Sequence, residues 1–351
     1  MLRILCAFLP LVVLLTACLP PSLPRVIKIG LVAPFEGRYR YVGYDAIYAA
    51  RLAVREINAA GGAGGWMLEL VAYDDRADSE LARTTARNLV IDSDVVTVIG
   101  HYQQTSTEAA SIVYAEAGMP LLVVGAWLTP TDALVWQMLP SPEQVANAMA
   151  EAAQSKTGYS GVSPPLTSPP VGGRPPLDTP IVGGVFPLNA SFIEGTFLFT
   201  SSLLDESSAF TSLPLSGRSA FTSPPLGGIE GGEVWREGTL FVTPYPLPRD
   251  LPGLEAWDAA YRSIGPHVPD PGVYALPTYE AVYALAEAIA ATLEAGEQPS
   301  RAGVAAALPG VRRVGGALGV LAWDAAGYWR EMPLYVYVWE QAGARLVDGK
   351  Q

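Results

Sequence analysis

The chain has 351 residues, half of them apolar, enough for two hydrophobic cores or one large one. Its formal charge of −12, with no basic stripe to neutralise phosphates, argues against a nucleic-acid partner. The only two histidines, His101 and His267, leave few parts for a histidine metal site or a Ser-His-Asp triad.

In chain order, Arg3 supplies a positive start, and Ile4 to Leu15 is an apolar run too short to span a bilayer as a helix. It leads into Leu15-Thr16-Ala17-Cys18, which resembles the bacterial lipobox. That resemblance implies cleavage after residue 17, acylation of Cys18 and an extracytoplasmic protein anchored to the cell membrane as a lipoprotein. An ordinary signal peptide with a chance cysteine is the alternative. Leu19 to Pro24 is proline-rich and reads as a short stiff tether. The remaining cysteine, Cys6, lies in the segment to be removed, so disulfides, metal–thiolate sites and cysteine nucleophiles are excluded from the mature body.

From Val26 to Val124, strand and helix signals alternate. Val26 to Val32 is a strand with Ile27, Ile29 and Leu31 facing inward, and Ile47, Ala50, Val54 and Ile57 mark a helix stopped at Gly61-Gly62. Met67 to Tyr73 is a second strand, and Asp78 caps a helix reaching about Val90 with Glu80 near its positive end. Val95 to Ile99, Thr105 to Glu116 and Leu121 to Val124 continue as strand, helix and strand. This order predicts a parallel sheet covered on both faces by right-handed crossovers.

Such sheets bind ligands at the carboxyl ends of their strands, which gathers the loops 34–43, 100–106 and 125–130 at one rim. The loop from Gly100 through Thr107 combines hydroxyls, amides and free backbone N–H groups at a helix mouth, a seat for a carboxylate. Thr105 or Ser106 serving only as a cap for its own helix is the competing reading. No phosphate loop is present at Gly61 to Gly65, which follows a helix and lacks a Lys-Ser/Thr, and no cofactor is signalled.

These residues bring the chain to a family. Ile27-Lys28-Ile29-Gly30-Leu31-Val32-Ala33-Pro34, Ala53-Val54-Arg55-Glu56-Ile57-Asn58-Ala59-Ala60-Gly61-Gly62, Tyr73-Asp74-Asp75, Val98-Ile99-Gly100-His101 and Tyr114-Ala115-Glu116-Ala117-Gly118-Met119-Pro120 follow one another at the right spacing. Together they resemble the first lobe of the type I periplasmic binding proteins, in particular the branched-chain amino acid binding branch of ABC importers. The resemblance resumes at Glu237 to Thr243 and runs through Trp257 to Tyr261. It takes in a helix from Thr278 to Ala295 with Tyr279, Val282, Ala286, Ile289 and Leu293 as its core stripe, and ends at Gly319 to Gly327.

It implies an α/β fold of two lobes, each a parallel sheet flanked by helices, joined by three crossings and closing on a small ligand. Lobe I would comprise 26–140 and 257–330, and lobe II 141–256 and 331–351. Carried over by position, the ligand loops contain Gln104, Thr105 and Ser106, then Gly125, Ala126 and Trp127, with Tyr41 or Val42 from the first loop. Glu237 stands where the family often has an acid able to meet an ammonium group, although a Glu-Gly step there is common whatever the ligand. Trp127 replaces a small hydroxylated residue and either stacks on a ring or apolar ligand or plugs the site. Gln104 also replaces a typical hydroxyl residue, so a simple branched-chain amino acid fits less well.

The middle departs from the family. Residues 155–233 contain 11 Pro, 12 Gly and 13 Ser in 79 positions, a composition that struggles to build a core. Thr167-Ser168-Pro169-Pro170-Val171-Gly172-Gly173 returns as Thr222-Ser223-Pro224-Pro225-Leu226-Gly227-Gly228, and Ala209-Phe210-Thr211-Ser212 as Ala220-Phe221-Thr222-Ser223. Only Leu177 to Glu194 resembles a family strand and loop. Repeat-derived, partly disordered sequence is therefore expected to leave lobe II incomplete and the cleft short of one wall.

The function expected from this reading is a monomeric, lipid-anchored solute-binding protein. It would deliver a small polar ligand, an amino acid or a related compound, to an ABC permease, and it would not be an enzyme. A sensory module without transport and a degenerate, non-binding family member are the alternatives. An exported hydrolase would have only Ser106 and His101 to offer, five residues apart with no evident orienting carboxylate.

Overall fold

Short apolar strands separated by amphipathic helices fold here into a fully parallel sheet, because each helix carries the chain back across one face. The computed structural model describes residues 25–128, 134–145, 147–148, 189–193, 196–200, 240–296, 298–340 and 343–349. The first sheet contains β1 (Val26–Ala33), β2 (Met67–Asp74), β3 (Val95–Gly100), β4 (Leu121–Val123) and β5 (Val135–Gln137), in the order β2-β1-β3-β4-β5. The fifth strand extends the sheet beyond the four expected; at three residues it is too short to carry a period of its own.

Four helices cover this sheet. α1 (Arg40–Ala59) and α5 (Ala275–Glu294) lie on one face, where Ile27, Ile29, Leu31, Ile99, Leu122 and Val124 share a core with Ala46, Ala50, Val282 and Ile289. α2 (Ser79–Ile91) and α3 (Gln104–Glu116) close the other, where Val32, Val98, Leu121 and Val123 pack with Ala86, Leu89 and Tyr114. Alternate residues of each strand thus enter opposite cores, and each buried Leu or Ile contributes about 1.5–3 kcal/mol. Asp78 caps α2 as expected, its carboxylate accepting from Leu81 N at 2.8 Å. α4 (Glu255–Arg262) packs through Tyr261 on α1, and α6 (Arg301–Ala307) follows α5.

A hairpin of β9 (Arg312–Gly316) and β10 (Gly319–Ala322) precedes the last crossing. The second sheet contains β6 (Asn189–Ile193), β7 (Thr196–Thr200), β8 (Leu240–Thr243), β11 (Tyr335–Glu340) and β12 (Gly343–Gly349), in the order β12-β11-β8-β7-β6. All four of its pairings are antiparallel, which corrects the expectation of a parallel sheet in each lobe. For two of the pairings the reason is connection length. Two residues separate β6 from β7 and β11 from β12, enough for a hairpin, whereas a parallel crossover needs a dozen or more. Within 155–233 only β6 and β7 are described, and the repeats and the 177–184 segment lie outside the described residues.

Candidate functional site

The carboxyl edge of the first sheet is built by the turns after β1, β2, β3 and β4. The turn after β1 runs directly into α1, and the two approach so closely that a Cβ on Gly43 would lie 2.3 Å from the Pro34 carbonyl oxygen. Asp74 closes the neighbouring turn, its Oδ1 accepting from Phe35 N at 2.8 Å and Arg76 N at 2.9 Å. Tyr41, in the first turn of α1, is half-buried and packs on the core, while Val42 is fully buried.

After β3 the chain buries His101 and Tyr102 before opening α3. His101 Nδ1 meets Asp75 Oδ2 at 2.6 Å and its Nε2 meets the Tyr114 hydroxyl at 3.2 Å. Burial pushes the Tyr114 phenol well up, so it keeps its proton beside Nε2. With both ring nitrogens engaged, His101 has none left to activate Ser106, whose hydroxyl donates to Gln103 O at 3.1 Å. A serine nucleophile therefore has no base here.

The N-cap of α3 is Gln103, so neither Thr105 nor Ser106 serves as that cap. The Gln103 carbonyl accepts from Thr107 N at 2.9 Å, and from the Thr107 hydroxyl at 2.7 Å. Thr105 is exposed at the helix mouth, whereas Ser106 is fully buried. Gln104 Nε2 donates to Trp127 O at 2.7 Å and to Glu108 Oε1 at 2.8 Å, and its Oε1 accepts from Trp127 N at 3.2 Å. One side chain thereby joins the turn after β3 to the turn after β4.

The turn after β4 starts at Gly125, whose φ of +86° suits glycine. A Cβ there would lie 2.9 Å from Tyr274 Cε1 and 3.0 Å from Tyr102 O. Ala126 is fully buried, and Trp127 is half-buried against the core. Beneath them, Tyr102 donates to Thr278 Oγ1 at 2.8 Å, and Thr278 in turn donates to Tyr274 O at 2.7 Å. Tyr102 and Tyr245 each meet the Tyr274 ring edge-on, with centroids 5.6 and 5.9 Å away. Tyr245, just after β8, donates to Met138 O at 2.9 Å, joining two segments by which the chain passes between the sheets. Burial raises the Tyr102 and Tyr245 phenols, so both remain donors.

The structure thus brings Thr105, Gly125, Ala126 and Trp127 to one rim around Gln104, with Tyr41 in the first turn of α1. Glu237 and Cys18 lie outside the described residues. Sequence reasoning placed Tyr102 and Gln103 in the loop after β3 without giving either a role, and missed Gln137, Tyr245 and Tyr274, which have no local pattern of their own; Asp75 carried a signal in Tyr73-Asp74-Asp75. Among the described residues, no group of three or more His, Cys, Asp or Glu side chains is arranged to hold a metal ion. None of the helices among them is long and apolar enough to cross a membrane.

Residues 26–162 match the family model described as periplasmic binding protein. The Leu/Ile/Val-binding protein of Escherichia coli K12 is 32% identical over 118 residues, 34% of this chain and 32% of that protein. The match therefore spans about a third of the length of that relative. A Desulfitobacterium hafniense ABC transporter substrate-binding protein, solved in complex with Leu, superposes with a TM-score of 0.59 at 17% identity, covering 92% of this chain and all of that one. An R. palustris solute-binding protein in complex with 4-hydroxybenzoate gives 0.58 at 15% identity, covering 93% of this chain and 97% of that one. These likenesses show the type I periplasmic binding protein fold.

Proposed function

From a chain with the type I fold, whose residues 26–162 carry the sequence of the periplasmic binding protein family, we propose an extracytoplasmic solute-binding protein that serves an ABC importer. It captures a small polar ligand, an amino acid or a related carboxylate, at the rim of the first sheet. The observation that carries this reading is the convergence of the turns after β3 and β4 beside the first turn of α3, joined through Gln104 and Trp127. A helix start favours an anionic group through its dipole and its first-turn N–H groups.

In this reading Thr105 and Trp127 offer side chains to the ligand. Ser106, Gly125 and Ala126 are buried and shape the rim from beneath, offering no side chain to the ligand. Tyr41 lines the first turn of α1, and Glu237, carried over from the resemblance alone, is the acid offered to an ammonium group. Binding rather than catalysis is favoured because His101 is fully engaged by Asp75 and Tyr114. The Cys18 thiol carries the lipid that keeps the protein beside its permease.

Calorimetric titration of the purified chain against leucine, isoleucine, valine, benzoate and 4-hydroxybenzoate tests the binding reading. Saturable one-to-one binding of at least one is expected, and silence across the panel would sink it. Labelled palmitate should enter the wild-type chain and not Cys18→Ala; equal labelling of both would remove the anchor.

A further inference from the structure

Two consecutive glutamines open α3, and their amides stand in opposite states. Gln104 is engaged at both ends, binding the main-chain N–H and C=O of Trp127 at 3.2 and 2.7 Å. Gln137, fully buried on β5, treats the next residue in the same way: its Oε1 accepts from Leu128 N and its Nε2 donates to Leu128 O, both at 3.0 Å. Gln137 is itself anchored, since its N–H donates to Gly327 O at 2.7 Å and its carbonyl accepts from Trp323 Nε1 at 2.9 Å.

Two side chains from separate elements therefore hold four main-chain groups of Trp127 and Leu128. Such a turn has little freedom left, and the half-buried indole that it carries packs against the core. Gln103 is the opposite case. Its Nε2 is buried and meets no hydrogen-bond partner among the described residues. A buried amide donor without an acceptor is costly, and a bound oxygen removes that cost.

Building on the solute-binding reading above, we propose that the two glutamines divide the work. Gln104, with Gln137, is a positioning residue that holds Trp127 as a flat wall. Gln103 gives its free amide N–H to an oxygen of a carboxylate ligand with an aromatic body. A planar indole rewards a ring, which stacks or meets it edge-on, over a branched aliphatic chain. The residue that sequence position assigns to the ligand, Gln104, instead shapes the wall, and its neighbour makes the contact.

The test uses the full chain labelled with 5-fluorotryptophan, whose eight tryptophans give eight fluorine lines, the Trp127 line being identified by its loss in Trp127→Phe. Calorimetry with 4-hydroxybenzoate and leucine supplies the affinities. Expected are binding of 4-hydroxybenzoate about tenfold tighter than leucine and loss of that preference in Trp127→Ala. Gln104→Met should shift or broaden the Trp127 line and weaken 4-hydroxybenzoate about tenfold. Gln103→Met should weaken it similarly while leaving the Trp127 line in place.

An unmoved Trp127 line in Gln104→Met overturns the positioning role. Unchanged affinity in Gln103→Met overturns the ligand contact. Tighter binding of leucine than of 4-hydroxybenzoate overturns the aromatic class and leaves the solute-binding reading standing. No binding of either, or of any other member of the amino acid and benzoate panel, sinks that reading and the ligand class together, while the fluorine lines still decide the role of Gln104.

Discussion

His101 Nδ1 lies 2.6 Å from Asp75 Oδ2, and both side chains are fully excluded from solvent. Asp75 also accepts from Ala77 N at 3.0 Å through its other oxygen, so one carboxylate ties the turn after β2 to the turn after β3. His101→Ala strands this carboxylate in an apolar interior, and we expect a loss of about 3–5 kcal/mol. Tyr114→Phe removes one neutral hydrogen bond and should cost about 1 kcal/mol. Urea denaturation of both variants checks the ratio; equal effects would mean that the Asp75–His101 contact contributes nothing beyond an ordinary bond.

Asp45 gives a pH dependence with a definite sign. It sits in α1, accepts from Gly272 N at 3.0 Å and Tyr274 N at 3.3 Å, and burial pushes its carboxyl up to about 7. In the unfolded chain the value is about 3.9, so the native state holds this proton more tightly. The resulting stability is fully present below about pH 4 and is lost as pH rises through 7, a change of about 3–4 kcal/mol. Asp45→Asn should flatten the stability profile between pH 4 and 8, measured by urea midpoints against the wild type. A wild-type profile parallel to that of the variant would contradict the assignment.

Gly43→Ala places a methyl 2.3 Å from the Pro34 carbonyl oxygen, backbone that cannot rotate away. α1 must then lift from the turn after β1, at about 1–3 kcal/mol. Thermal melts of Gly43→Ala and Gly37→Ala separate this from a general glycine effect. A Cβ at Gly37 meets nothing within 4 Å, so its cost is set by its φ of +80° alone.

Arg301 ties α6 to the far end of the first sheet. Its guanidinium donates to Val90 O at 2.8 Å and Asp92 O at 3.0 Å, at the end of α2, and to Val95 O at 3.1 Å, at the start of β3. Arg301→Ala should lose about 2 kcal/mol, and Arg301→Lys should recover only part, because an ammonium lacks the planar fork that reaches three carbonyls. Chemical denaturation of the two variants is the check, and full recovery by lysine would show that charge alone matters.

The first sheet was legible because its signals are local. Ile27, Ile29 and Leu31 alternate, Asp78 precedes a helical stripe, and Ala50 and Ile57 fall on one face, each within a window shorter than one element. The antiparallel second sheet was not, since its two hairpins are joined to β8 by pairings between strands far apart in the chain. At the rim, residue type pointed to Gln104 and Trp127 but could not say that one holds the other: they are 23 positions apart and meet only when β3 and β4 lie side by side.

What the sequence by itself determined is the alternation of elements, the two-sided burial of the first sheet and the edge at which a ligand site would lie. All three follow from periodicity and from the hand of parallel crossovers. What only the tertiary structure decided is how polar groups are shared. Hydrogen-bond donors and acceptors are consumed in pairs, and a pair exists only where the fold brings distant residues within about 3 Å. Hence the Gln104 amide is engaged while the Gln103 Nε2 meets no partner among the described residues, and His101 is locked between Asp75 and Tyr114, outcomes that residue identity alone leaves open.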